Sequence, residues 1–319
     1  MAIEYSLAPL AGYTDAPFRF LCMEFGVDLT YTEMVSAAGL RYGHEPTKTL
    51  LAKMPGEENV ACQIFGANEL DVAHAAREAD KGGFVELNLN AGCPMRKIVV
   101  SGSGAKLIES PEKTARLLKA MKENTSLPVT LKTRLGPRIG EKRIFEMLEA
   151  AEEAGISKII VHARYTSQMH GGAIDLGTLA QVVERAKVPV VGNGSVIDER
   201  SAREMAATGV KGIMVGRAAM ARPWVFRVLK GEKTPEIDSI SICKRHLQLV
   251  LEFREQLVKE YPNARIPSKD GYAAIKMHTH LFRYFSGMPN AAKLRAKLNS
   301  IRTLNEIYDI IYEYGHRRE

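Results

Sequence analysis

The stretch "SPEKTARLLKAMKENTSLPVTLKTR", from Ser110 to Arg134, contains the pattern that decides the fold. Its first half has the length of a helix, with Ser110 as a candidate N-cap and Pro111 at the first helical position. Its second half contains "PVTLKT" (128–133), a short β-type run that follows almost at once. A helix joined closely to a buried strand is one repeat of a parallel α/β fold.

The same alternation extends from this repeat in both directions. Eight β-type runs are present, several of them nearly continuous in apolar residues, as strands buried on both faces should be: "EYSLAPL" (4–10), "DLTYTEM" (28–34), "NVACQIF" (59–65), "FVELNLN" (84–90), "PVTLKT" (128–133), "KIIVHA" (158–163), "VPVVGN" (188–193) and "KGIMVG" (211–216). Eight strands alternating with helices predict an α/β fold, a (β/α)8 TIM barrel. A doubly wound sheet is the main alternative, but it usually has fewer strands, and no G-x-G-x-x-G follows the first run.

The strand pattern stops near residue 235. Beyond it, two long segments have helical period, "ISICKRHLQLVLEFREQLVKEY" (240–261) and "AAKLRAKLNSIRTLNEIYDIIYEY" (291–314). We therefore predict two domains: a catalytic barrel over residues 1–235 and a small all-helical C-terminal domain over residues 236–319.

The bulk composition is that of a globular protein, with 319 residues, 45% hydrophobic and 25% charged. The sequence shows no secretory signal and no apolar run near the roughly 18 residues that span a bilayer. None of the four cysteines lies in a C-x-x-C pair or at zinc-finger spacing from a histidine. We expect a cytoplasmic, monomeric protein with no membrane partner and no metal.

Positive charge is concentrated in one segment of the C-terminal region. Between residues 265 and 302 a single acid, Asp270, accompanies eight basic residues: Arg265, Lys269, Lys276, Arg283, Lys293, Arg295, Lys297 and Arg302. Aromatic and histidine residues are interleaved with them: Tyr272, His278, His280, Phe282 and Tyr284. A basic and aromatic patch on an otherwise balanced chain favours a polyanionic partner, and an ordinary solvated helical face is the alternative.

Polar residues collect where the predicted strands end, which is where barrels place their chemistry. Two glycine-rich loops follow the last two strands, "GNGSV" (192–196) and "GRAAM" (216–220). Their backbone amides and Arg217 are suited to a phosphate, unless the loops are only tight turns.

Lys132 ends an apolar strand and would need a negative partner in the barrel mouth. A reduced flavin anion is one such partner, with Gln63 hydrogen-bonded to the ring edge and His162 near the ring or its phosphate. The alternatives are an internal ion pair for Lys132 and a core position for His162.

Cys93 follows a strand end, between Gly92 and Pro94. A thiol with an ordinary pKa of about 8.5 is protonated at neutral pH and can act as a general acid. Asn90 is placed to hydrogen-bond a substrate carbonyl. No obvious Cys–His–Asn set favours a nucleophile, and a packing cysteine is the remaining alternative.

Seven motifs of the barrel region resemble those of the tRNA-dihydrouridine synthases: "APLAGYTDAPFR", "TEMVSAAGL", "LNLNAGCPMRK", "LKTRLG", "VHAR", "VVGNGSV" and "MVGRAAMARPWVF". The later "IKMHTHLFRYFSGMPNAAKLRAKLNSI" is similar to the helical tRNA-binding part of that family. The resemblance covers nearly the whole chain.

The resemblance implies FMN-dependent reduction of a specific uridine in tRNA to 5,6-dihydrouridine, with NADPH or NADH as reductant. The uridine leaves its stack, hydride passes from flavin to C6, and Cys93 gives a proton to C5. The implied FMN contacts are Pro9, Leu10, Ala11, Gln63, Lys132, His162, Asn193, Gly194, Ser195, Gly216 and Arg217. The expected substrate contacts are Asn90 and Arg164 near the uracil or flavin, and Lys276, Arg283, Lys293 and Arg295 on the RNA.

One loop departs from the family pattern. The chain reads "HARYTSQMHGG" (162–172), with Tyr165 and His170 at positions where the family often has threonine and tyrosine. Two other functions remain open from the residues alone. A flavin barrel acting on a small alkene would leave the basic segment unused, and a non-catalytic RNA-binding protein would leave Cys93 and Lys132 unused.

Overall fold

A computed structural model describes residues 3–232, 237–285 and 291–315 of the chain. Parallel strands form a nearly closed barrel. The second predicted run, 28–34, contains one short strand, Thr30–Tyr31, and a further short strand, Val35–Ser36, follows directly after the run. The strands are β1 Glu4–Leu7, β2 Thr30–Tyr31, β3 Val35–Ser36, β4 Val60–Phe65, β5 Glu86–Ala91, β6 Val129–Arg134, β7 Lys158–His162, β8 Val190–Asn193 and β9 Gly212–Val215.

The sheet order is β1-β9-β8-β7-β6-β5-β4-β2, with β3 also paired to β4. The ring is completed by a parallel bridge between Ser6 and Leu29, just before β2. The predicted (β/α)8 barrel is confirmed, and the doubly wound alternative is wrong, because an open sheet would leave β1 and β2 unjoined.

Helices alternate with the strands around the barrel and then continue alone in the C-terminal region. They are α1 Ala16–Glu24, α2 Ala37–Arg41, α3 Glu45–Lys48, α4 Glu69–Lys81, α5 Arg96–Val100, α6 Pro111–Lys122, α7 Ile144–Glu153, α8 Leu176–Arg185, α9 Glu199–Ala206, α10 Arg217–Ala221, α11 Val225–Leu229, α12 Ser239–Glu260, α13 Lys269–Tyr284, α14 Ala291–Ser300 and α15 Leu304–Gly315. Short 3-10 turns occupy Thr49–Leu51, Gly104–Glu109 and Thr166–Gln168.

The helix of the opening stretch begins where the sequence predicts. Ser110 is the N-cap residue of α6 and Pro111 opens the helix, but the Ser110 hydroxyl makes no capping hydrogen bond. The Asn68 side chain does cap α4, because its oxygen accepts from the backbone N–H of Leu70 at 2.9 Å and of Asp71 at 3.2 Å.

The C-terminal region is helical, as predicted. The long segment 291–314 is two helices rather than one, because Thr303 and Glu306 form a new N-terminal cap in which the Glu306 carboxylate accepts from the Thr303 backbone N–H at 2.9 Å. The predicted domain boundary at residues 235 and 236 lies outside the described residues. Among the helices that the structure describes, none has the length and apolar character to cross a membrane.

The helical region packs against α1 of the barrel through a cluster of rings. The rings of His246 and His280 lie 4.4 Å apart between centroids, and the His280 ring lies 4.7 Å from that of Phe18. The Tyr284 hydroxyl is 2.9 Å from Nδ1 of His246. Tyr272, His280 and Tyr284 are buried, so the expectation that they belong to a surface patch is wrong.

An ion pair lies beside this ring cluster. Lys276 Nζ is 3.1 Å from the carboxylate of Asp15, the N-cap residue of α1. The possible metal-ligating atoms of Asp15, His246 and His280 lie within 4.8 Å of one another. Because the Lys276 ammonium already neutralises Asp15, the cluster is better described as a structural contact between barrel and helical region.

We expect the ring cluster to destabilise the protein at acidic pH. Burial lowers the pKa of His246 from 6.5 to about 4. Between these two values the unfolded chain binds a proton that the folded chain excludes, so stability is lost as the pH falls through this window. The loss from this residue alone is about 3 kcal/mol at the lower end.

The measurement is the free energy of unfolding by denaturant between pH 7 and pH 4, for the wild type, His246→Phe and His44→Gln. His246→Phe should make the curve less steep, and the slope that remains comes from His162 and His280, whose pKa values burial also lowers. His44→Gln, at an exposed site, should leave the curve unaltered. A slope in His246→Phe as steep as that of the wild type would contradict this assignment.

Candidate active site

The carboxyl ends of neighbouring strands bring the predicted site residues together. Asn90 of β5 is in register with Lys132 of β6, and His162 of β7 is in register with Asn193 of β8. Because the strands are parallel, these side chains meet at one end of the barrel. We call this end the barrel mouth.

Lys132 is held in the mouth without a carboxylate. Its Nζ donates to the Asn193 side-chain oxygen at 3.0 Å, and the Asn193 amide donates to the Met214 carbonyl at 2.7 Å. Burial lowers the pKa of Lys132 to about 7, and the nearby Arg134 acts in the same direction. The described partner is an amide rather than an acid, so an anionic ligand would restore the charge on Lys132.

Two nitrogen atoms in the mouth lack a hydrogen-bond partner among the described residues. They are Nδ1 of His162 and Nη1 of Arg164, and both are buried. Burial and the neighbouring cations lower the pKa of His162, so its ring is neutral. Buried polar groups without partners are rare, and in a cleft they indicate where a ligand binds.

The Gly194 backbone lies directly beside these two side chains. A Cβ built on Gly194 would be 3.6 Å from Nη1 of Arg164 and 3.6 Å from Nε2 of His162. Arg164 is anchored by the Gly172 carbonyl at 2.7 Å and the Ser195 hydroxyl at 2.6 Å. An arginine fixed in this way, next to a glycine loop, fits a phosphate.

The loop after β9 joins the loop after β1. The Ala8 backbone N–H donates to the Val215 carbonyl at 2.8 Å, and a Cβ built on Gly216 would be 3.9 Å from the Leu10 side chain. Pro9 to Ala11 and Gly216 to Arg217 therefore line one side of the mouth, next to the Gly194 loop. The groups that line the mouth would suit a ligand that carries a phosphate and a ring able to hold negative charge.

The loop that carries Cys93 is fixed from both sides. The Asn90 side-chain oxygen accepts from the backbone N–H groups of Gly92 at 3.1 Å and Cys93 at 2.9 Å. Arg134 Nε donates to the Gly92 carbonyl at 2.8 Å. The Asn90 contacts support a role in holding the loop, whereas its predicted contact with substrate stays a prediction.

Cys93 differs from the other cysteines in its surroundings. It is a half-buried free thiol, whereas Cys22, Cys62 and Cys243 are fully buried. Burial raises the pKa of Cys93, with Arg134 and Lys132 opposing the shift. The thiol is therefore protonated at neutral pH, as a general acid must be.

Arg134 is the site residue to which the sequence analysis gave no role. It is buried, and besides Gly92 it binds the Met169 carbonyl through Nη1 at 2.7 Å, which joins the Cys93 loop to the loop after β7. Burial lowers its pKa to about 10. The period-two spacing from Lys132 was the available signal, since residues two apart on a strand share a face.

The unusual loop after β7 contributes one residue to the mouth. His170 is exposed, with its ring 6.5 Å from that of His162. Tyr165 is buried, and its hydroxyl is 3.3 Å from Asp175. Tyr165 therefore supports the loop from its buried side, whereas His170 lies at the exposed edge of the barrel mouth.

The four basic residues expected on RNA lie on two helices, α13 and α14, and differ in their surroundings. Lys276 is paired with Asp15 at the junction, and Arg283 lies over the Tyr13 ring at 5.9 Å. Lys293 and Arg295 are exposed on α14, where the Arg295 guanidinium lies 5.0 Å from the Phe282 ring. Of the four, Lys293 and Arg295 are exposed and Lys276 and Arg283 are half-buried, and the contact of each with RNA stays a prediction.

We expect Gly104→Ala to displace the Cys93 loop. Gly104 has φ of +58°, and a Cβ there would lie 2.7 Å from the Cys93 carbonyl oxygen, closer than real Cβ atoms approach. Gly140→Ala is the matched control, because Gly140 also has positive φ, +89°, but an added Cβ would meet nothing within 4 Å. The left-handed strain of about 1 kcal/mol is common to both.

The measurement is the iodoacetamide reactivity of Cys93 together with the melting temperature. Gly104→Ala should change the alkylation rate, and Gly140→Ala should lower only the melting temperature. Identical alkylation in the two variants would show that Gly104 does not support the loop.

Comparison with known proteins identifies the family of the chain. The dihydrouridine synthase (Dus) family model matches residues 6–313. A protein named probable tRNA-dihydrouridine synthase from Helicobacter pylori is 33% identical over 97% of this chain and 90% of its own length. One of the same name from Rickettsia conorii is 31% identical over 97% and 92%. The tRNA-dihydrouridine synthase B of Pseudomonas syringae is 30% identical over 92% and 86%. The chain belongs to the dihydrouridine synthase family.

Proposed function

We propose that the protein reduces a uridine of tRNA to 5,6-dihydrouridine, with FMN as cofactor and NADPH or NADH as reductant. The observation that carries the proposal is the half-buried Cys93 thiol, whose loop is fixed by Asn90 and Arg134. It lies beside a cationic cleft in which two buried nitrogen atoms have no partner among the described residues. Family membership and the names of the relatives support tRNA as the substrate.

The cleft offers FMN a complementary set of groups. Lys132 would face the ring, where its ammonium stabilises negative charge. Gln63 is fully buried and its amide is already hydrogen-bonded to Asn88 and Asn90, so its predicted contact with the flavin stays a prediction. Arg164, His162 and Ser195 would hold the phosphate. Bound FMN, once reduced, supplies the hydride that uridine accepts at C6.

Cys93 supplies the proton. The uracil C5 becomes basic as hydride reaches C6, and a thiol whose pKa is raised by burial still carries its proton at neutral pH. Asn90 and Arg134 fix the backbone on either side of Gly92, which limits the positions that Cys93 can take. The thiolate that remains would be stabilised by Arg134 and Lys132 until it is reprotonated.

The helical region would bind the RNA. A uridine inside folded tRNA reaches the mouth only if it leaves its stack, so a second contact must hold the rest of the molecule. Lys293 and Arg295 on α14 offer exposed positive charge for the phosphate backbone.

The experiment that tests this function is nucleoside mass spectrometry of unmodified tRNA incubated with the purified protein, FMN and NADPH, with free uridine as a parallel substrate. We expect dihydrouridine in the tRNA only. Product from free uridine at a similar rate would favour a reductase of small molecules, and a protein that binds tRNA without flavin would favour a non-catalytic RNA-binding role.

Cys93→Ala should retain flavin and lose most of the product, about 100-fold or more, because only the proton donor is removed. Cys22→Ala is the control, since Cys22 is fully buried behind the barrel wall in α1. In the wild type the rate should decline as the pH rises through the raised pKa of the thiol, where the donor is lost. Unchanged turnover by Cys93→Ala would exclude Cys93 as the acid.

Lys293→Glu with Arg295→Glu should weaken tRNA binding about tenfold or more at 0.15 M salt and leave the flavin spectrum unchanged. Arg200→Glu with Arg203→Glu, on the exposed face of α9, changes the net charge equally and serves as control. Filter binding at several salt concentrations gives the affinity and the number of phosphate contacts. Equal affinity for the two double variants would mean that the RNA lies elsewhere.

A further inference from the structure

A chain of polar side chains crosses the barrel interior from its amino-terminal end to the Cys93 loop. Glu86, Asn88 and Asn90 alternate along β5, so all three share its inward face. Asn88 is in register with Gln63 of β4 and Thr130 of β6, and Thr130 is in register with Lys158 of β7. These three residues are also polar. All but Lys158 are buried.

At the amino-terminal end of the barrel, this row of side chains begins with the carboxylate of Glu86. Glu86 accepts from the Tyr31 hydroxyl at 2.7 Å and the Thr130 hydroxyl at 2.5 Å, and it pairs with Lys158 Nζ at 2.6 Å. A carboxylate beside an ammonium only accepts hydrogen bonds. Thr130 therefore gives its single hydroxyl proton to Glu86, and its oxygen accepts from the Asn88 amide at 2.8 Å.

The remaining links follow from that first one. The Asn88 oxygen accepts from the Gln63 amide at 2.8 Å, and the Gln63 oxygen accepts from the Asn90 amide at 2.9 Å. The Asn90 oxygen is then left facing the backbone N–H groups of Gly92 and Cys93. In each of the three amides, the oxygen faces the partner nearer the barrel mouth and the nitrogen faces the partner nearer Glu86.

The two ends require the same orientation of every amide. The oxygen and nitrogen of a side-chain amide are otherwise interchangeable in shape, and the hydrogen-bond network decides between them. Here an acceptor-only carboxylate closes one end, and donor-only backbone N–H groups close the other. A buried network with no unsatisfied member holds one arrangement, whereas a broken one admits several.

We propose that Glu86 and Thr130 are positioning residues for Cys93, which act on its loop through the amides of Asn88, Gln63 and Asn90. The proposal rests on the proposed function, because it concerns the thiol assigned there as proton donor. Without the Thr130 hydroxyl, Asn88 loses its acceptor and the amides are free to rotate. A rotated Asn90 would present its NH2 group to two N–H donors and release the Cys93 loop.

The test compares two substitutions on one strand. Thr130→Val removes the hydroxyl from the chain, and Thr133→Val removes an equally buried hydroxyl that bonds only to backbone carbonyls, the nearer being Ala91 at 3.3 Å. Thr130→Ser keeps the hydroxyl and should restore the wild-type behaviour. Iodoacetamide labelling of the full chain, mapped by peptide mass spectrometry across pH, reports on Cys93, because the other cysteines are buried.

We expect Thr130→Val to alkylate Cys93 about fivefold faster at pH 8, with a midpoint shifted toward that of a solvated thiol. Thr133→Val and Thr130→Ser should remain within about twofold of the wild type. Equal profiles for Thr130→Val and Thr133→Val would overturn the proposal.

A second variant covers the case in which Thr130→Val does not fold. Glu86→Gln keeps the size of the side chain and removes the charge that orients the row of amides. It should therefore shift the pH profile of Cys93 alkylation in the same direction as Thr130→Val. An unchanged profile in folded Glu86→Gln also overturns the proposal. Labelling measures the thiol and not the product, so a wild type that makes no dihydrouridine would contradict the proposed function alone.

Discussion

A polar side chain inside a parallel barrel has to find its partner within the barrel, and this constraint fixes most of the site. Leaving one buried donor or acceptor unpaired costs about 1–3 kcal/mol. The period of the strands places Glu86, Asn88 and Asn90 on the inner face of β5, where water does not reach them. Their mutual pairing therefore organises the interior, and the Cys93 loop is the last group that this pairing supports.

At the barrel mouth, some buried polar atoms have no partner among the described residues, and this indicates a binding site. Nδ1 of His162 and Nη1 of Arg164 stay unpaired among the described residues, although the rest of Arg164 is bound to Gly171, Gly172 and Ser195. The fold thus keeps two nitrogen atoms fixed and available to a ligand, at a cost in stability: the Arg164 nitrogen is a donor, and the His162 nitrogen is a donor or an acceptor according to the ring tautomer. Lys132, whose pKa burial lowers to about 7, carries a similar penalty. An anionic ligand would relieve all three penalties at once, which is why the geometry favours a cofactor with a phosphate and a ring that can carry negative charge.

The sequence predicts the barrel and most of the mouth because both follow from local patterns. Strand period and length identify the eight runs, and the residue at the end of each run must point to the mouth. Contacts between distant segments leave no such local signal. The anchoring of the Cys93 loop by Arg134 depends on which loops meet. The burial of Tyr272, His280 and Tyr284 depends on how α13 packs against α12 and on the contact of Phe18 of α1 with His280. The short strand β2 within the second run, and β3 just beyond that run, are likewise set by pairing with β4.

Lys276 shows that a positive charge counted along the basic segment can be paired inside the protein. Burial alone would lower the pKa of Lys276, but Asp15, Tyr272 and Glu33 outweigh it and raise the pKa, so the ammonium persists as half of an internal pair. Asp15 is also the N-cap of α1, which directly follows the mouth loop that begins at Pro9. The same carboxylate therefore starts a barrel helix and holds a helix of the C-terminal region. In the proposed reaction, this ion pair and the ring cluster beside it would set the distance between the exposed charges of α14 and the Cys93 thiol. That distance would in turn decide which uridine reaches Cys93.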